Sequence, residues 1–435
     1  MWTKLPSSLL SVRRISFLAC SNSFRVFSDL PMVSRRLNNE HFQQLLTPEL
    51  KRLGDIFQKR GYQLRLVGGV VRDLLLGNKP KDIDLATECT PEDMVKIFVQ
   101  ENIKYIPTGL QHGTITAHIN STDFEITTLR IDRVTDGRHA VVEFTADWMV
   151  DAERRDLTIN AMSLGFDGTL YDYFDGEHHL QEKKVIFVGD PVKRIKEDYL
   201  RILRYFRFYG RIVPEAGKHD AATLEGIRST ADGLDSISAE RIREEMNKII
   251  IGNHAPHLVE VIYKLGVAKH IGLPDNLNHK ELNIVWERSR QLPVHPVTML
   301  TSLLDSVDTT WAMMMRWKYS NNETKMAKFV ATHRDKAKDP STTIKYFQNL
   351  LVDRIPLDTV TEVLHYAGLG EMAAELQKWQ VPLCPINGGH LKKVGIKPGP
   401  QFGRILKEIT EKWKESYFTL SEEELTQAAL KYKHQ

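Results

Sequence analysis

The stretch from Leu66 to Thr87, LVGGVVRDLLLGNKPKDIDLAT, constrains the chain more than any other. Gln63 to Val67 reads as a short buried strand, which Gly68-Gly69 breaks. Without a Cβ, these glycines let the backbone turn sharply and approach a ligand. Val70 to Leu76 then reads as one or two helical turns closed by Gly77. Backbone N–H groups at such a strand-to-helix turn can hold a triphosphate, and Arg72 adds a charge-assisted contact. A second strand carries Asp82-Ile83-Asp84. Side chains alternate across a strand, so both carboxylates face one side and Ile83 faces the core. Two hard oxygen ligands this close suit Mg²⁺ shared with phosphates; two such ions can activate an attacking hydroxyl and stabilise a leaving oxygen. A lone D-x-D is usually a solvated turn, but joined to GG-x-x-R-D it is far more specific.

Size and composition set the frame. The chain has 435 residues, 42% hydrophobic and 26% charged, which suits a globular protein of about three domains. No run of about 18 apolar residues is present, so no membrane partner is expected. A net charge of +3 neither demands nor excludes nucleic acid; any basic surface must be local. Cys20, Cys89 and Cys384 form no disulfide or zinc pattern, and a reducing compartment fits. Residues 1–36 carry Lys4, Arg13, Arg14, Arg25, Arg35 and Arg36 among serines and apolar residues, with Asp29 as the only acid. That composition predicts a mitochondrial transit peptide and a matrix location. A second start at Met32 would omit most of it and allow a cytosolic or nuclear pool.

Strand candidates are Leu64–Val67, Ile83–Ala86, Gly113–Ile119, Phe124–Leu129, Val141–Phe144 and Val185–Val188, with a hairpin turn at Asn120-Ser121. Helices are expected over Pro91–Val99 and Asp151–Ser163. After about residue 191 the strand signals nearly vanish and long Leu-, Ile-, Lys-, Arg- and Glu-rich periodic stretches follow. The fold class is therefore an α+β head followed by an all-helical body.

A second constellation is EDYLRILRYFRF, Glu197 to Phe208. Read as one helix, it places Asp198, Arg201, Arg204 and Arg207 in a row on one face, with Leu200, Leu203, Phe206 and Phe208 as anchors. A carboxylate only accepts hydrogen bonds and a guanidinium only donates. An Asp198/Arg201 pair facing a base would accept C and A, which present an amino donor beside a ring-nitrogen acceptor. It would reject U and G, which present the reverse. In DAERRDLTINAM (Asp151 to Met162), Arg154, Arg155 and Asp156 open a helix; an arginine here is a candidate triphosphate clamp and Asn160 a candidate sugar contact. Glu125 is a candidate third carboxylate near the metals.

These motifs, in this order, resemble the class II tRNA nucleotidyltransferases, the CCA-adding enzymes, and the related bacterial-type poly(A) polymerases. GGVVRDLLLG with DIDLAT is similar to the family's catalytic motif, Thr135–His139 to its flexible loop, RRDLTINAM to its ribose and phosphate motif, and EDYLRILRYFRF to its nucleobase-template helix. Ile237–Ile250 resembles the neck helix that follows. The resemblance implies a polymerase-β-like nucleotidyltransferase head, a mixed sheet with flanking helices, over 37–190. It implies helical neck, body and tail domains over 191–255, 256–380 and 381–435. It implies Asp82 and Asp84 as Mg²⁺ ligands. Gly69, Arg72, Arg155, Asp198, Arg201, Arg204 and Arg207 would bind nucleotide. The partners it implies are tRNA, ATP and CTP but not DNA, and the chain would act as a monomer or homodimer. The loop favours complete C, C, A addition. In the tail, His390 stands where relatives often carry Asp, and Lys392, Lys393 and Lys397 are candidate phosphate contacts. The mixed-charge end LSEEELTQAALKYKHQ argues against the poly(A) alternative.

Overall fold

The computed structural model describes residues 32–135 and 140–431. In chain order the strands are β1 (Met32–Arg36), β2 (Leu64–Val67), β3 (Asp84–Thr87), β4 (Lys104–Gly109), β5 (Thr114–Ile119), β6 (Thr122–Thr128), β7 (Arg130–Thr135), β8 (Ala140–Phe144), β9 (Ser163–Leu164) and β10 (Thr169–Asp172). Eight form one mixed sheet in the order β1-β10-β9-β2-β3-β6-β5-β4, while β7 and β8 make a separate ribbon. Only β3 and β6 run parallel. All four residues of β2 are buried, including Arg65, whose guanidinium lies 4.0 Å from the Trp148 ring and 3.6 Å from that of Tyr171. The aromatic faces stabilise a cation that the sheet has taken out of water. Asn120 and Ser121 turn the β5–β6 hairpin with φ of 48° and 67°, the left-handed pair that a two-residue hairpin requires.

Three expectations need correction. The leader expected over 1–36 overlaps β1, whose Met32 and Val33 pair with Asp172 and Tyr171; residues 1–31 lie outside the described residues. Val185–Val188 is not a strand; Phe187 makes only an isolated bridge to Leu157. Asp151–Ser163 is not one helix. A helix over Trp148–Glu153 ends, a 3₁₀ turn covers Thr158–Asn160, and Ser163 already belongs to β9. β-Branched Thr158 and Ile159 weaken helix propagation there, and the Asp156 side chain bonds the Leu157 N–H, offering the backbone an alternative to the helix.

Among the described residues no strand follows β10. The helix Arg201–Ile212 buries Ile202, Leu203, Tyr205, Phe206, Phe208 and Tyr209. Each such burial contributes about 1.5–3 kcal/mol, enough to fix which face Arg204, Arg207 and Arg211 present. Val213-Pro214 ends it, since the residue before proline avoids the helical region. The helix Ala239–Ile250 packs beside it through Ile242, Met246, Ile249 and Ile250. One continuous apolar core runs from Leu37 to Leu376. Residues Ile386 to Ala429 enclose a second core around Trp413. Lys414, 2% exposed, connects the two by binding Asp353 and Glu411.

Candidate active site

A cavity of about 1010 Å³ opens between the sheet and the helical region. It is lined by nine arginines and one lysine against five aspartates, so its ligands must be anionic.

The sheet supplies one wall. Gly68 has φ 69° and ψ −120°, outside the range open to other residues, and a Cβ there would lie 3.2 Å from Arg155 Nη1. Its N–H donates to Met162 O at 3.3 Å, and Gly69 follows it on the cavity wall. Asp82 lies in the bend before β3 and Asp84 opens β3; both are solvent-exposed and both line the cavity. Partial loss of water raises the Asp84 pKa, the Arg155 cation opposes this, and the nearby Asp82 charge adds to the rise. Glu125 stands in register with Asp84 on the parallel strand β6, and partial burial and the Asp84 charge push its carboxyl upward too. It does not line the cavity. Among the described residues no group of three or more His, Cys, Asp or Glu is arranged to hold a metal. What fits a hard cation is the Asp82/Asp84 pair, two all-oxygen donors whose mutual repulsion a cation would relieve.

Behind this wall runs a chain of ion pairs. Arg72, 3% exposed, bonds Asp73 through Nε and Nη2 and Asn160 through Nη1. Asn160 donates onward to Asp156, which receives Arg204 Nε at 2.6 Å. Burial alone would raise the Asp156 pKa, but Arg204, Asn160 and the Leu157 N–H hold it at about 2. Each end of the Asn160 amide carries one of these bonds, which leaves one N–H and one lone pair, and Asn160 lines the cavity. Arg155 pairs with Asp151 at 3.0 Å and stays partly exposed toward Asp84.

The helical wall departs most from expectation. Glu197 to Phe208 is two helices, Pro191–Glu197 and Arg201–Ile212, with Asp198 extended between them at φ −154°. Asp198 and Arg201 therefore do not share a helix face and do not pair through their side chains. Asp198 receives Arg241 at 2.8 Å and the Leu200 N–H at 3.1 Å. Arg201 binds Glu197 at 2.6 Å and the carbonyls of Arg194 and Arg154. Arg207 pairs with Glu245 at 2.9 Å. Asp198, Arg201, Arg204 and Arg207 all still line the cavity. Asp156, Arg241, Arg211 and Lys248 were not singled out from sequence as site residues. Arg241 lies in the helix read only as a neck, and no local spacing links it to Asp198. The loop Thr135–His139 lies, from residue 136, outside the described residues. In the tail, His390 completes a capping box with Asn387, and Lys392, Lys393 and Lys397 are exposed.

Comparison with known proteins places this geometry. A family model described as "Poly A polymerase head domain" matches residues 64–186, and one described as "Probable RNA and SrmB- binding site of polymerase A" matches 219–275. The chain is 47% identical to "CCA tRNA nucleotidyltransferase 1, mitochondrial" of Mus musculus over 94% of its own length and 96% of that protein's. The Homo sapiens protein of the same name is also 47% identical, over 91% and 92%. Among solved structures, that of the Bacillus stearothermophilus CCA-adding enzyme in complex with CTP shares the fold, with a TM-score of 0.73 at 24% identity, covering 89% of this chain and 98% of that one. The near end-to-end identity to the animal proteins, carried on a head of mixed sheet and a helical remainder, makes this chain a member of the CCA tRNA nucleotidyltransferase family.

Proposed function

We propose that this chain adds C, C and A to the 3′ end of tRNA from CTP and ATP, releasing pyrophosphate. One observation carries the reading: the Asp82/Asp84 pair faces an arginine-lined cavity walled on its far side by the helices that follow the head. Its relatives' names state the same activity. Asp82 and Asp84 would hold Mg²⁺, two ions if the second shares a carboxylate with the triphosphate. When bound, the cation supplies charge stabilisation at the α-phosphate and eases ionisation of the attacking 3′-hydroxyl.

The chain's own groups do the rest. Arg155, next to Asp84, attracts the triphosphate and keeps it in line with the incoming hydroxyl. Asp198 and Arg201 read the base. Their present partners leave lone pairs on the carboxylate and donors on the guanidinium, so C and A can be bonded while U and G meet like against like. Arg204 and Arg207 are held by Asp156 and Glu245, so the cationic wall is built before ligand arrives. Exposed Lys392, Lys393 and Lys397 suit contact with RNA phosphates by charge and shape, because A-form duplexes hide their base edges. A mitochondrial matrix location agrees with the relatives' names and the leader composition. Translation from Met32 would keep β1 and supply a pool elsewhere.

The test supplies a tRNA transcript lacking its CCA end with each nucleoside triphosphate singly, then with CTP plus ATP, and reads product length. Two nucleotides from CTP and a third only when ATP joins is the expected result. Long ladders from ATP alone would instead identify a poly(A) polymerase.

A further inference from the structure

Asp198 presents its carboxylate from an extended link between two helices, so its backbone partners fix its Cα and not its side chain. Its N–H donates to Ile195 O at 3.1 Å and its carbonyl accepts from Arg201 N–H at 2.9 Å. The side chain could still turn about two single bonds. Two donors prevent this: the Leu200 N–H on Oδ1 at 3.1 Å and Arg241 Nη2 on Oδ2 at 2.8 Å. The first moves with the link itself. The second comes from a separate helix, Ala239–Ile250.

Arg241 stands in the first turn of that helix, where a cation meets the positive end of the helix dipole. Helix formation therefore does not account for it; the anion in front of it does. One turn on, Glu245 is 5% exposed and receives Arg207 at 2.9 Å. Residues four apart share a helix face, so one face of this helix holds Asp198 through Arg241 and Arg207 through Glu245. Buried Ile242 and Met246 fix the rotation of that face. We infer that Arg241 is a positioning residue for base selection: it holds the Asp198 carboxylate in the orientation that accepts from the amino group of C and A. The inference rests on the base-reading role given to Asp198 above and names what enforces it. Without Arg241 the carboxylate hangs on the Leu200 bond alone, and its other oxygen leaves the place where the amino group arrives. The loss falls on C and A, because U and G offer no amino donor at that place.

The test uses the full chain with Arg241→Met, which keeps a long stem and removes the charge, and Arg241→Lys, which keeps the charge as a compact point. Asp198→Ala serves as the reference for a lost reader. kcat/KM is measured for CTP and UTP on a tRNA transcript lacking CCA, and for ATP and GTP on one ending in CC. Affinity for inorganic tripolyphosphate and thermal melting are measured in parallel. In Arg241→Met the CTP/UTP and ATP/GTP ratios should each fall roughly tenfold, with a smaller fall in Arg241→Lys and unchanged tripolyphosphate affinity. Should Arg241→Met melt below the assay temperature, the ratios of Arg241→Lys decide. Wild-type ratios overturn the inference. So does an equal loss for all four nucleotides with a lower melting temperature, which a bond that merely ties two helical segments together would give. Loss of tripolyphosphate affinity also overturns it, since Arg241 would then serve the phosphates. Wild-type ratios in Asp198→Ala would remove the base-reading role and the inference with it, leaving CCA addition standing. A wild type that extends neither transcript from CTP or ATP would sink CCA addition itself.

Discussion

Replacing Asp156 by asparagine tests the claim that the cationic wall is built before ligand arrives. Asp156 is 6% exposed and accepts from Arg204 Nε at 2.6 Å, Leu157 N at 2.8 Å and Asn160 Nδ2 at 3.3 Å. Its pKa falls from 3.8 to about 2. At about 1.4 kcal/mol per pH unit, that difference corresponds to roughly 2 kcal/mol of stability at neutral pH. The sign follows from the depressed value. The unfolded chain takes up the proton first, so the contribution is complete above about pH 4 and fades as pH falls toward about 2. The Asp156→Asn variant would keep the shape but leave Arg204 without its counter-charge. The expected cost is about 2 kcal/mol at pH 7, read as a lower midpoint for the first urea transition, with the same gap at pH 5. kcat/KM for CTP and ATP should fall together, since Arg204 loses its fixed position. Equal midpoints for variant and wild type at pH 7, with both activities intact, would refute the idea that Asp156 organises this wall.

Four further outcomes are expected. Asp82→Ala should reduce nucleotide addition by at least about a thousandfold while tRNA binding persists in a filter assay. Gly68→Ala should cost about 1–2 kcal/mol for its left-handed φ of 69° and raise KM for both nucleotides, because the new Cβ displaces Arg155; thermal melting and initial rates check the two parts. Lys414→Met should lower the stability of the small core around Trp413 by about 2 kcal/mol, seen as faster hydrogen exchange in 386–429, with CTP affinity unchanged. Burial and the neighbouring His257 hold His219 at about 4 against an ordinary 6.5. Stability should therefore decline as pH drops from about 6.5 toward 4, because the unfolded chain binds the proton first; His219→Asn should flatten that part of the melting-temperature profile.

Much of the head was legible because its signals are local. The strand Leu64–Val67 matches the predicted bounds, and the Asn120-Ser121 turn and the helix from Pro91 follow from turn chemistry and a proline at the first helical turn. Asp82 and Asp84 both line one cavity, although Asp82 lies in a bend and only Asp84 belongs to the strand expected to carry both. Where long-range pairing competes with local pattern, the sequence misled. EDYLRILRYFRF has continuous helical periodicity, yet Asp198 is extended: its carboxylate bonds the Leu200 N–H two residues on and Arg241 forty-three residues away. Nor does the motif around Asn160 show that its amide also bridges Arg72 and Asp156, eighty-eight and four residues away.

Sequence alone determined the residue types, the strand-turn-helix that carries them and the split between a mixed head and a helical remainder, all of which depend on neighbours within a few positions. Only the tertiary structure decided which arginine meets which carboxylate. Those pairs, Arg204 with Asp156, Arg207 with Glu245, Arg241 with Asp198 and Arg211 with Asp73, span 38 to 138 residues. A charge has no periodicity that points to a partner so distant; the packed helices choose it by bringing one partner within 3 Å and leaving the others in water.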